Sequence, residues 1–155
     1  MLVLQSLHYI CNKKIMKKIL SFSLICAVAG TLLAQQPFKK ELYNESHQIF
    51  LHINLYEEKI IVPSMEMFGP MFGYLNGNIY GIWSATSAKV IDDKNATIRF
   101  SNDLGSETQE VLLTLNDDST YTFKQVDGVV IKKVVKKKLV KIPQVLEFKI
   151  KRGTK

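Results

Sequence analysis

His47 and His52 are the histidines that follow the N-terminal segment, and they stand five residues apart. On a strand an odd spacing sends two side chains to opposite faces, so this pair cannot share a metal ion. The two cysteines, Cys11 and Cys26, both fall in the N-terminal segment, leaving no thiol as ligand or nucleophile and no disulfide. Asp92 and Asp93 in "DDKN", and Asp117 and Asp118 in "NDD", occupy turn-like stretches where aspartate satisfies local backbone. "SNDLGSE" around Gly105 lacks EF-hand spacing and reads as another turn. No serine stands in a G-x-S-x-G context. The sequons at Asn44 and Asn95 matter only in a eukaryotic secretory pathway. The chemistry-bearing side chains thus predict no catalytic residue, no metal and no cofactor: a binding protein rather than an enzyme.

Two groups of residues suit binding. The first is Met65, Met67, Phe68, Met71, Phe72, Tyr74 and Tyr80, a methionine- and aromatic-rich segment. Flexible thioethers and rings form adaptable apolar surfaces. The second is Lys132, Lys133, Lys136, Lys137, Lys138 and Lys141. Residues 128–155 carry ten basic groups against one acid, Glu147, whereas residues 35–127 carry seven against thirteen. Phe148 is the one aromatic in the basic stretch, so base stacking is not served and nucleic acid is not the expected partner. Lysines on strands also keep sheet edges apart. A functional reading for them is contact with anionic polysaccharide or lipid headgroups.

The first 34 residues read as a secretory signal. Met16-Lys17-Lys18 is the basic start, and Ile19 to Leu33 is an apolar run ending at Ala34. That run is too short for a membrane span, and nothing later approaches one. Met16 is the expected true start. Bulky Ile25 before Cys26 argues against lipid attachment. Residues 35–155 then form one domain, exported to the periplasm or cell surface of a Gram-negative bacterium. Without the signal the balance is 17 basic to 14 acidic residues, a net of +3.

The elements that must position these residues are strands. "HQIFLHINLY" sends Ile49, Leu51, Ile53 and Leu55 to one face and His52 and Asn54 to the other. "KIIV" is a short partner ended by Pro63. "FGPMFGY" cannot be a central strand, "LNGN" around Gly77 is a tight turn, and "IYGIWSATSAKVI" is the longest strand. "ATIRFSN", "TQEVLLTL", "STYTFKQV", "VVIKKVV", "KLVKI" and "VLEFKIK" follow, with Asp127-Gly128 as the strongest hairpin signal. Turns every 8–12 residues predict an all-β antiparallel meander, either a small barrel or a sandwich.

Gly81-Ile82-Trp83 at the head of a strand resembles the G-x-W of the lipocalin and wider calycin superfamily. The resemblance implies an antiparallel barrel with an apolar interior, Trp83 closing one end as core. It covers residues 79–126, and the family's T-D-Y is missing. Only 72 residues follow Trp83, so a barrel needs residues 47–62 to supply strands before it.

The resulting expectation is an exported, non-enzymatic module binding an apolar or amphipathic small molecule or an envelope protein. The alternative is a structural or assembly component of the envelope, docked through the basic hairpin.

Overall fold

A computed structural model describes residues 36–117 and 119–151. The expected signal segment, with Cys11 and Cys26, lies outside the described residues, as does Asp118. Twelve strands follow one another among the described residues. The first five are β1 (Lys39–Asn44), β2 (Ile49–Asn54), β3 (Ile60–Ile61), β4 (Pro70–Met71) and β5 (Gly73–Gly77). Then come β6 (Trp83–Val90), β7 (Asn95–Asn102), β8 (Thr108–Asp117) and β9 (Thr120–Gly128). The last are β10 (Lys132–Val135), β11 (Lys138–Lys141) and β12 (Val145–Ile150). Among the described residues a single 3₁₀ turn, Glu66–Phe68, interrupts them.

Eight strands close into an antiparallel barrel of order β1-β2-β5-β6-β7-β8-β9-β12, with β12 returning to β1. Each wall strand pairs with the next wall strand along the chain. The all-β expectation is met, and of its two forms the barrel is adopted. Two small ribbons, β3–β4 and β10–β11, lie outside the wall. The first interrupts the passage from β2 to β5, the second that from β9 to β12. Strand direction therefore gives the barrel two distinct ends. The ribbon end carries the connections 45–48, 78–82, 103–107 and 129–144. The flap end carries 55–72 and 91–94, and there β8 ends and β9 begins.

Period-two alternation fills the lumen. Leu42, Ile49, Leu51, Ile53, Leu75, Trp83, Ala85, Ile98, Phe100, Val111, Leu113, Phe123, Leu146 and Phe148 are all buried in one cluster. Eight strands enclose a space just wide enough for side chains, and here large rings occupy it. Phe123 sits 5.7 Å from Phe148 and 6.1 Å from Phe100, centroid to centroid. Gly73, Ala85 and Phe100 are neighbours in register, so two nearly bare wall positions adjoin a bulky one. Phe38 plugs the flap end, and Ile131 and Ile142 plug the other. Trp83 is 2% exposed, as its core assignment expected. The interior implied by the lipocalin resemblance is thus apolar, but it is packed.

The predicted turn at "DDKN" forms as expected, and Asp117 of "NDD" makes the same kind of contact, Asp118 lying outside the described residues. Asp92 Oδ1 accepts from the Lys94 and Asn95 backbone N–H groups, and Asp117 Oδ1 from those of Ser119 and Thr120. Asn102 Oδ1 closes the Gly105 turn by accepting from Ser106 and Glu107.

Three expectations need correction. Residues 73–77 are the wall strand β5, not part of a breaker and a turn. A Cβ at Gly73 would strike the His52 carbonyl, so the glycine permits the close approach of β2. The longest strand is β8, and β6 begins only at Trp83, because residues 79–82 bend around the barrel rim. Asp127-Gly128 is not a hairpin turn but the end of β9. The two-residue turn lies at Lys136-Lys137 instead.

Tyr121 ties the N-terminal entry to the core, its hydroxyl donating to the Pro37 carbonyl at 2.6 Å. Burial, and secondarily the Tyr56 phenol, push this hydroxyl up to about 12. An unfolded tyrosine titrates near 10, so the unfolded chain loses its proton first. The contribution is intact below about pH 10 and is lost as pH rises towards 12. Tyr121→Phe is expected to cost about 0.5–1.5 kcal/mol at pH 7 for the lost hydrogen bond. Urea midpoints measured from pH 8 to pH 11.5 should show that difference shrinking and then reversing.

Candidate binding site

The outward faces of β1, β2 and β5 carry a ladder of rings. The register places Tyr43 opposite Phe50, Glu41 opposite His52, and His52 opposite Tyr74. Ring centroids lie 4.6 Å apart for Tyr43–Phe50, 6.5 Å for Phe50–His52 and 4.4 Å for His52–Tyr74. Lys151 Nζ stands 5.3 Å from the Phe50 centroid, within cation–π range. Glu41 lies 3.7 Å from both His52 Nδ1 and Lys151 Nζ. Burial holds the His52 imidazole below its ordinary value, and Glu41 offsets part of that. Burial thus favours the neutral imidazole. Burial, then Glu41, raises the Tyr74 hydroxyl in turn.

Beside this ladder the 55–72 connection folds back on the wall and bounds a cleft of about 510 Å³. Ile60, Ile61 and Tyr74 supply its apolar side. Lys39, Lys40 and Lys59 supply cations, against the single acid Glu41. Lys59 pairs with Glu57 at 2.7 Å, whereas Lys39 and Lys40 make no ion pair among the described residues. Asn54 also lines the cleft. It is only 5% exposed, and its side-chain Oδ1 has no hydrogen-bond partner. Its backbone N–H donates to the Phe72 carbonyl at 2.8 Å, which fixes its position. A buried carbonyl oxygen without a donor is costly. The cleft can therefore hold an apolar body and neutralise a negative charge.

The seven residues of the methionine- and aromatic-rich segment are dispersed. Met65 is buried and Phe72 packs against the barrel core, so both serve packing. Met67 and Phe68 project from the flap end, 87% and 61% exposed, and Met71 pairs with Ile60 in the small ribbon. Tyr74 joins the cleft. Tyr80 lies at the opposite end, because β5 runs the length of the wall between it and Phe72. Sequence reasoning missed Tyr43, Phe50, Asn54 and Lys39. The outward position of Phe50 and His52 was legible from the alternation of β2, but their partners depended on register.

The six lysines do come together, on β10, β11 and the turn between them. His47 sits in the 45–48 turn and His52 on the wall, with the Asn44 side chain accepting from the His47 backbone N–H.

No helix among the described residues is long and apolar enough to cross a membrane. No protein-family model, curated protein or solved structure matches this chain.

Proposed function

We propose that the protein is an exported, non-enzymatic, lipocalin-like barrel that binds an amphipathic, negatively charged small molecule on its outer wall rather than in its lumen. The observation that carries this reading is a cleft with one apolar side, the polar Asn54 in its wall, and Lys39 and Lys40, which make no ion pair among the described residues. The packed rings of the lumen support it from the other direction, since they occupy the space a calyx would offer. The ligand class follows from the lining: an aliphatic body against Ile60 and Ile61, a hydroxyl on Asn54, and a carboxylate at the lysines.

3-Hydroxydecanoate has these three features and serves as the probe. Titrated against ¹⁵N-labelled protein, it should shift amides of β1, β2 and Ile60–Ile61. Lys39→Glu with Lys40→Glu should weaken binding about tenfold, as expected for partly exposed charges. Shifts confined to inward-facing residues, or equal affinity for decanol, would sink the reading.

A further inference from the structure

The ribbon β10–β11 is built against the usual rules for an isolated hairpin. Its two-residue turn places Lys136 at φ 48° and Lys137 at φ 65°. A hairpin turn with both residues left-handed is ordinarily Asn-Gly, because a Cβ is crowded there. Lys132 stands directly opposite Lys141, a like-charge pair across the strands. Glu107 lies 3.6 Å from Lys132, but the other five lysines make no ion pair among the described residues. Between the lysines of the root and those of the turn, Val134, Val135, Leu139 and Val140 are 40–53% exposed. Both faces of the ribbon carry this aliphatic belt, and neither strand pairs with the wall.

The ribbon is nevertheless held firmly at its root. Ile131 and Ile142 are buried in the barrel end, the Ile142 N–H donates to the Ile131 carbonyl at 2.9 Å, and the Tyr80 N–H donates to the Lys132 carbonyl at 2.7 Å. Tyr80 and Leu104, 60% and 81% exposed, flank it on the same end. With Leu139 and Lys132 they line a hollow of about 180 Å³ that has Trp83 in its wall. A rigid support thus presents a protruding aliphatic belt, ringed by lysines, with a tyrosine beside it.

Each of these features is unfavourable in water and favourable at one kind of surface. Negatively charged headgroups would relieve the repulsion among the lysines and hold their ammonium groups, while the lysine stems let the aliphatic belt sink to the acyl boundary. A polyanion in solution would satisfy the charges alone and leave the belt in water. We infer that the ribbon end docks onto a bilayer rich in anionic phospholipid, through Val134, Val135, Leu139 and Val140 with the lysines of the turn. The inference is independent of the outer-wall cleft.

Co-sedimentation with phosphatidylglycerol vesicles against phosphatidylcholine vesicles tests it. Binding to the first and not the second is expected, with loss at high salt. Lys136→Asn with Lys137→Gly is the decisive variant, since it installs the preferred turn while removing two charges. It should fold at least as well and bind about thirtyfold more weakly. Val134→Ser with Leu139→Ser should also weaken binding, by about tenfold. Vesicle affinity unchanged in the turn variant overturns the inference. So does full affinity in the serine variant, which would assign the ribbon to a soluble polyanion instead.

Discussion

Truncating Phe123 to alanine is expected to cost the barrel about 3–5 kcal/mol, the range for removing a large ring from a packed core. Phe123 is 2% exposed and stands between Phe100 and Phe148, each of which is fully buried. Its loss removes the transfer free energy of the ring and leaves a void that the stiff wall cannot close. Two ring–ring contacts, each worth about 0.5–1.5 kcal/mol beyond area, disappear with it. A domain of this size has about 5–15 kcal/mol in total, so the variant should sit near the edge of folding at 37 °C. Phe68→Ala is the matched control. Phe68 is 61% exposed on the 3₁₀ turn and should change stability by no more than about 0.5 kcal/mol. Urea unfolding followed by circular dichroism separates them: the Phe123→Ala midpoint falls by about 1–3 M, and the Phe68→Ala midpoint does not move. A small effect at Phe123 would mean that the lumen is loosely filled, and would reopen it as a ligand space.

That contrast marks what was legible in the chain. Strands with a clean period of two, such as β2 with Ile49, Leu51 and Ile53 inward, could be read directly, and so could the aspartate turns. Strand β1 could not, because "KKELYN" sends only Leu42 and Asn44 inward behind three charged residues. Strand β5 was hidden by Gly73 and Gly77, which look like breakers until the neighbouring backbone is known to press against them. The Asp-Gly signal misled for a related reason, since the left-handed Gly128 serves the close approach of β8 to the end of β9 rather than a turn. The true hairpin turn was invisible because lysine is not a residue that favours it. The cleft fared similarly. Tyr43, Phe50, His52 and Tyr74 come from three strands, and only register makes them a ladder. Asn54 gave no sign in the sequence, because its unmet carbonyl is a property of burial.

Gly128→Ala carries the second large effect, and it tests the register that brings the ribbon to its place. Gly128 ends β9 at φ 87° and pairs with Gln109, just beyond the irregularity that leaves Val126 unpaired against β8. A Cβ there would strike the Thr108 carbonyl oxygen and come within 2.7 Å of Gln109 Cα. Both are backbone atoms of the adjoining wall strand, so neither can swing aside as a side chain could. The left-handed conformation itself costs a non-glycine residue about 1–2 kcal/mol. Forcing β8 and β9 apart adds about 1–3 kcal/mol, the usual scale of overpacking. Gly105→Ala isolates the first contribution, since Gly105 has φ 70° and open space where its Cβ would go. The expected result is a loss of about 2–5 kcal/mol at Gly128 against about 1–2 kcal/mol at Gly105, read from urea midpoints. Amide exchange would then show where the strain is released. Faster exchange at Thr108, Gln109 and Val129 is expected, because the Val129 N–H donates to the Thr108 carbonyl at 2.8 Å. Equal losses at the two glycines would mean that β9 need not approach β8 so closely, and that the root of the ribbon is not held by this contact.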